Sequence, residues 1–173
     1  MPLVIASLPV GTGTLALCAM PGRGGAYDAD LRDILAFGPA LVLTMATGAE
    51  MAARGAAGLP ADLADHGIMW RHLPVADFGL PDATVRGAWP EISAEARGVL
   101  GGGGTVLVHC MGGCGRSGMA VLRLMVDAGE AADSALGRLR AARPCAVETP
   151  AQLDWACAGG TAGQSARVRP GSQ

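Results

Sequence analysis

The chain has no lysine; all thirteen basic residues are arginine. That absence excludes a nucleotide-binding P-loop, which needs a lysine before its Ser/Thr to reach the phosphates. Aromatic residues are also scarce: two phenylalanines, three tryptophans and one tyrosine in 173 residues. With half the residues hydrophobic, the core must therefore be built from Ala, Val and Leu. Net charge is only −2, which removes the electrostatic case for nucleic acid or an anionic membrane as partner. No apolar run reaches the roughly 20 residues that span a bilayer. The N-terminus lacks a basic segment followed by a long apolar stretch, so no signal peptide is expected. Five cysteines are an odd number without metal-ligand spacing, and free thiols in a cytoplasmic protein are the expectation. The arginine-only basic set and heavy Ala and Gly usage fit a GC-rich, bacterial genome. No internal repeat is present.

The length predicts one domain large enough for a continuous core. Val4–Leu8 and Thr14–Met20 read as strands joined by a turn-rich link, Pro9–Gly13. Asp30 opens a helix with Leu31, Ile34 and Leu35 at helical spacing, ending near Gly38–Pro39. Ala40–Thr44 and Ile68–Leu73 are apolar strands. Between them lie helices from Thr47 to Ala57, with Thr47 as cap, and over Leu59–His66, where Pro60 suits the first turn. A loop, Pro74–Pro81, leads to a helix over Thr84–Leu100, interrupted or bent at Pro90. Gly101–Gly104 turns into a strand, Thr105–His109, and helices follow at 116–128, 130–142 and 149–158. This alternation predicts an α/β layered single domain over residues 1–158, with a mainly parallel central sheet flanked by helices. Residues 159–173 lack apolar periodicity and are expected to form a disordered tail.

One segment carries chemistry: His109–Cys110–Met111–Gly112–Gly113–Cys114–Gly115–Arg116–Ser117–Gly118. It reads as strand, tight loop, helix. Such a loop aims backbone N–H groups at an anion, and the helix N-terminus adds partial positive charge. Met111, Gly112, Gly113, Cys114, Gly115 and Arg116 would form the phosphate cradle. A guanidinium binds two phosphate oxygens as a planar fork, which a point charge cannot do. Helix N-termini and nearby cations favour a thiolate, which makes Cys110 a candidate nucleophile.

The segment resembles the His-Cys-x5-Arg-Ser/Thr signature of cysteine-dependent protein tyrosine and dual-specificity phosphatases. Upstream, His72–Asp82 is similar to the loop carrying the general acid. Its run Ala76–Asp77–Phe78–Gly79–Leu80–Pro81–Asp82 matches best the branch that includes the cyclin-dependent-kinase-inhibitor-associated phosphatase. Leu17–Cys18–Ala19–Met20–Pro21–Gly22 is similar to an N-terminal run of that branch. The resemblance covers roughly residues 10 to 157, and it implies a protein tyrosine phosphatase-like fold. It also implies phosphomonoester hydrolysis through a phosphocysteine: Cys110 as nucleophile, Arg116 as phosphate clamp, Asp77 as general acid and base. Ser117 would donate toward the Cys110 sulfur, and His109 would order the loop backbone. Asp82 is the rival acid. Thr149 would cap the last helix, and Gln152 is a candidate for positioning water. Cys114 departs from the branch, where the position is apolar. Its side chain is expected to point away into the fold, and a disulfide with Cys110 is the alternative. No metal or other cofactor is implied, since Arg116 and the amides supply the positive charge.

The substrate implied is a phosphorylated protein or a small phosphoester, met by a monomer. Tyr27 lies in nothing resembling an aromatic recognition loop, which points to a compact dual-specificity type with Phe78 as one wall of a shallow pocket. Two other readings stand beside this one. A rhodanese-like or arsenate-reductase-like enzyme also uses a loop cysteine but leaves the Asp77 loop unexplained. A pseudophosphatase would keep the cradle as a phosphate-binding module without turnover.

Overall fold

A computed structural model of the chain describes residues 2–160. The expectation of a disordered tail falls mostly on 161–173, outside the described residues. Its first two residues are ordered: Gly159 is buried, and the Gly160 N–H donates to Asp127.

Twelve elements follow in chain order: β1 (Ala6–Val10), β2 (Gly13–Ala19), α1 (Tyr27–Phe37), β3 (Leu41–Thr44), α2 (Gly48–Ala53), α3 (Leu59–Asp65), β4 (Met69–His72), α4 (Ala83–Gly101), β5 (Thr105–Cys110), α5 (Gly115–Asp127), α6 (Ala132–Ala142) and α7 (Pro150–Cys157). The strands form one sheet in the order β1-β2-β5-β3-β4. Only β1 runs antiparallel to its neighbour, so the sheet is mainly parallel, as expected.

The period of two along each strand builds two cores. Leu15, Leu17, Leu41, Leu43, Val106, Val108 and Cys110 face one side, with α4 to α7. Ala16, Cys18, Val42 and Leu107 face the other, with α1 to α3. Strands covered on both faces read as continuous apolar runs, which is the pattern of buried parallel sheets. β5 is central, and both its faces are sealed. Its carboxyl end therefore delivers Cys110 to the edge of the sheet where ligands bind in open α/β folds.

Several boundaries differ from expectation, among them the end of α2, which stops at Ala53 rather than Ala57. β1 lies two residues later, at Ala6–Val10, because Leu8 and Val10 are the inward pair and Pro9 is tolerated on an edge strand. The β1–β2 turn shrinks to Gly11 and Thr12, with Gly11 at φ 58°. α1 begins at Tyr27, three residues before Asp30, whose carboxylate accepts the Gly22 N–H. α4 runs unbroken through Pro90, which is exposed, so the carbonyl it leaves unbonded can be hydrated.

Candidate active site

Cys110 ends β5 and is 2% exposed; Arg116 and Ser117 sit in the first turn of α5, both buried. The Cys110 Sγ lies 3.3 Å from Ser117 Oγ. Together with Asp77, Phe78, Arg23 and Glu148 on the rim, Cys110 and Arg116 line a cleft of about 150 Å³.

The connecting loop is held inside out. The Met111 carbonyl accepts from Met20 N–H at 3.3 Å, and the Cys114 carbonyl from Gly118 and Val147 N–H. Arg143 donates Nη2 to Gly112 O at 3.2 Å and Nε to Gly113 O at 3.0 Å. In a planar trans peptide the following N–H points opposite to the carbonyl. With all four carbonyls bonded away from the cleft, the amides of Gly112, Gly113, Cys114 and Gly115 face into it. That is the amide cradle the sequence predicts. Gly113 is required by its φ of 70° and by proximity: a Cβ there would sit 2.4 Å from the Cys18 carbonyl carbon.

Arg116 is 1% exposed, and a buried charge needs partners. Nη1 and Nη2 each donate at 2.8 Å to one oxygen of Glu50, and Nη1 also donates to Val75 O at 2.8 Å. Asp77 Oδ1 lies 3.2 Å from Nη2. Burial works against the guanidinium's charge, but Glu50, Cys110 and Asp77 outweigh it and hold its pKa above the ordinary value. Conversely, the Arg116 bonds, helped by Thr47 and opposed by burial, bring the Glu50 carboxyl down to about 2.

Sequence reading missed Glu50. The signal was there: Thr47 and Glu50 have capping-box spacing, and the box forms, with Thr47 Oγ1 accepting from Glu50 N–H and Glu50 Oε2 accepting from Thr47 N–H. The cap thereby fixes the carboxylate that fixes the arginine. Arg143 and Glu148 were missed for want of any local pattern. Glu148 packs on the loop so closely that a Cβ on Gly115 would meet its Oε2 at 2.1 Å.

The two candidate acids separate. Asp77 lines the cleft with a side chain 59% exposed, and its Oδ1 accepts the Phe78 N–H. Asp82 caps α4 by accepting Val85 N–H at 2.9 Å and does not line the cleft. Phe78 is 63% exposed and holds a φ of 56°, unusual for a bulky residue.

Gln152 is placed differently from the expectation. It is fully buried. Its Oε1 accepts Glu148 and Thr149 N–H groups, its N–H donates to Thr149 Oγ1, and its Nε2 donates to Gly79 O. Gln152 thus closes the α7 capping box and tethers the Asp77 loop through one of its two Nε2 N–H groups.

His109 is fully buried. Thr44 Oγ1, which accepts Trp70 Nε1–H at 2.8 Å, lies 2.7 Å from His109 Nε2. Nδ1 meets no partner at hydrogen-bond geometry and lies against the Cys110 backbone. Burial first, and then His72, push the imidazole down to about 4.

The expectation of five free thiols is corrected. Cys114 bonds to Cys145 across 31 residues, while Cys18, Cys110 and Cys157 are free. The Cys114 side chain thus turns away from Cys110, toward the segment that also supplies Arg143, Val147 and Glu148. Disulfides persist in oxidising compartments or in hyperthermophile cytosol, so the bond also removes the cysteine argument for an ordinary cytoplasm.

Comparison with known proteins gives the class first. Kinase-associated phosphatase, with serine in place of its catalytic-site cysteine, superposes with a TM-score of 0.78 at 25% identity, over 90% of this chain and 93% of that one. Tk-PTP in its active form gives a TM-score of 0.62 at 29% identity, over 82% and 87%. Human DUSP28, at 19% identity and a TM-score of 0.60 over 90% and 93%, shares the fold. The architecture is that of the protein tyrosine and dual-specificity phosphatases. More narrowly, the chain belongs to the cyclin-dependent kinase inhibitor 3 family, whose profile matches residues 4–135. Mouse cyclin-dependent kinase inhibitor 3 is 30% identical over 134 residues, 72% of this chain and 62% of the mouse protein. The match thus spans less than two thirds of that relative's length.

Two predictions follow from this geometry. His109 is neutral when folded and has an ordinary value near 6.5 when unfolded. Its contribution is therefore complete above about pH 6.5 and is lost as pH falls toward 4, by roughly 3 kcal/mol. Ring-nitrogen NMR should find the His109 imidazole neutral at pH 5.5; a midpoint near 6.5 would contradict this. The disulfide closes a loop whose constraint is worth about 3–4 kcal/mol in the chain-entropy treatment. Dithiothreitol or Cys145→Ser should lower the urea midpoint accordingly, and the denatured, unreduced protein should titrate three thiols. Five thiols and an indifferent midpoint would show that the bond does not form.

Proposed function

We propose that the chain is a phosphoprotein phosphatase of the tyrosine/dual-specificity type, working through a phosphocysteine at Cys110. The observation that carries this is the convergence, in one cleft, of the Cys110 sulfur, four inward amides and the Arg116 fork. The sulfur attacks phosphorus while the ester oxygen leaves on the opposite side, taking a proton from Asp77. Arg116 and the amides meet the equatorial oxygens, whose charge grows in the transition state, and so lower the barrier rather than merely tightening binding. In the second step Asp77, now a carboxylate, takes a proton from water as the water oxygen attacks phosphorus and the S–P bond breaks. Ser117 Oγ, 3.3 Å from the sulfur, donates to the departing thiolate. His109 stays neutral behind the loop and orders it.

The Asp77–Arg116 contact gives the acid a starting position. An incoming phosphoryl group competes for the same Nη2, so its binding releases Asp77 beside the leaving oxygen. Phe78 forms one wall of the cleft. The cleft is small, about 150 Å³, and Phe78 stands exposed at its mouth, which supports a dual-specificity reading.

Para-nitrophenyl phosphate hydrolysis tests the reading. Wild type should turn over without added metal and be blocked by vanadate, and Cys110→Ser should be inactive while still binding phosphate. Undiminished hydrolysis by Cys110→Ser would end the phosphocysteine assignment; no turnover by wild type, with phosphate still bound, would make the cleft a binding module. With an alkyl phosphate as substrate, Asp77→Ala should cost about 10²–10⁴-fold and remove the basic limb of the pH profile. Asp82→Ala should change only stability, by about 1 kcal/mol through its lost cap. The reverse pattern would move the acid to Asp82.

A further inference from the structure

Of the five cysteines, the proposed chemistry uses Cys110, and the fold commits Cys114 and Cys145 to a bond between positions 31 residues apart. The two bonded sulfurs stand in different surroundings. Cys145 is exposed, in the irregular link between α6 and α7. Cys114 is half-buried in the phosphate loop and occupies the N-cap position of α5. A helix N-terminus stabilises a thiolate. In thiol–disulfide exchange the accessible sulfur is attacked, and the sulfur that better carries negative charge leaves. Both criteria choose one direction: attack at Cys145 and departure of Cys114.

The exposed sulfur is flanked by the bonds that shape the cradle. Two residues before it, Arg143 donates to Gly113 O at 3.0 Å and to Gly112 O at 3.2 Å. Two residues after it, Val147 N–H donates to Cys114 O at 3.3 Å. These bonds help to turn three loop carbonyls outward, and so to turn the amides that follow them inward. The segment itself is irregular, with Val147 at φ 66°, a conformation that β-branched residues rarely adopt. Arg140 holds it by donating to the Ala146 and Val147 carbonyls, each at 3.1 Å. The disulfide is the covalent member of this set of ties.

We propose that Cys114–Cys145 is a thiol-exchange site that sets the anion affinity of the cradle, higher when the bond is closed and lower when it is open. A thiolate of an external dithiol attacks Cys145 Sγ, the Cys114–Cys145 bond breaks, and Cys114 leaves as a thiolate. The second thiol of the reductant then displaces Cys145 from the mixed disulfide. The protein gains two electrons and two protons, and the dithiol becomes a disulfide. Cys110 is neither oxidised nor reduced. Two effects lower the affinity of the open form. The segment that carries Arg143 loses its covalent tie to the loop it braces. The Cys114 thiolate also places negative charge at the helix N-terminus that a bound phosphate uses. By linkage, the factor separating the two affinities is also the factor by which bound anion favours the closed bond. The inference rests on the reading of the loop as an oxyanion site and adds regulation to it.

The test reads binding, so that it is independent of turnover. Cys110→Ser protein is equilibrated in mixtures of reduced and oxidised dithiothreitol, at constant ionic strength, with increasing inorganic phosphate. Acid quenching, alkylation and mass spectrometry count the closed fraction. Phosphate should move the midpoint toward more reducing potentials. The shift should level off at about tenfold in the exchange constant, or about 30 mV for a two-electron couple. Calorimetric titration of phosphate into the closed and the opened protein should return the same ratio. Cys145→Ser in the same background should bind phosphate like the opened form and be indifferent to dithiothreitol. Equal affinities of the closed and opened forms, or a midpoint that phosphate does not move, overturn the switch. So does a shift that keeps growing with phosphate while the near-ultraviolet tryptophan signal is lost, because opening would then unfold the protein. Hydrolysis of para-nitrophenyl phosphate by wild type separates the two readings. No turnover in either form, with the binding ratio intact, keeps the switch and removes the phosphatase; turnover with equal affinities does the reverse.

Discussion

A guanidinium with 1% exposure has to be paid for in hydrogen bonds, and the site is arranged around that need. Arg116 carries its charge into the fold at the N-terminus of α5, where the helix dipole opposes it. Glu50 answers with both carboxylate oxygens, from a different helix and 66 residues away. Val75 O and Asp77 complete the set from the segment after β4. One side chain thus joins α2, α5 and the Asp77 loop. The pairing makes each part depend on the others: without Glu50, Arg116 would lack its compensating charge, and without Arg116, Glu50 would lose what keeps its carboxyl ionised down to about pH 2.

The backbone of the loop obeys the same rule with the signs reversed. Four amides can aim at an anion only if four carbonyls are satisfied elsewhere. Those acceptors are met from β2's end by Met20, from within α5 by Gly118 and from the 143–147 segment by Arg143 and Val147. The Cys114–Cys145 bond ties that last segment covalently to the loop it braces. Cys145 itself is exposed, so the clasp is open to solvent thiols while the groups it holds together are not.

How much of this was legible follows from separation along the chain. The cradle was readable because its strand, loop, fork and hydroxyl occupy ten consecutive residues. The sheet was readable because buried parallel strands are short apolar runs between helical patterns. Glu50 and Arg143 were not, since a surface carboxylate and a bracing arginine have no signature until the fold brings them to their partners. Cys145 could not be chosen from five cysteines, because proximity to Cys114 is created by the α6–α7 connection. The bonds of Gln152 were hidden for a related reason. It stands where a water-positioning residue is expected, and the fold gives it structural bonds the sequence did not show: the capping box uses its oxygen and Gly79 accepts one of its N–H groups. Asp77 and Asp82 look alike in sequence; the N-cap bond that Asp82 accepts from Val85 N–H is what separates them.

The rim charges bear on how the proposed reaction begins. Asp77 lies on the guanidinium that a phosphoryl group must occupy, 3.2 Å from Nη2. Glu50 keeps hold of the far side, so Arg116 does not swing when Asp77 is displaced, and the fork is already oriented when substrate arrives. Displacement is favoured because a phosphoryl dianion gains four amides as well as Arg116, whereas Asp77 has only one contact with Nη2 and the Phe78 amide. Binding would thus place the acid beside the leaving oxygen, a coupling that rests on Asp77 and the phosphoryl group competing for one guanidinium nitrogen.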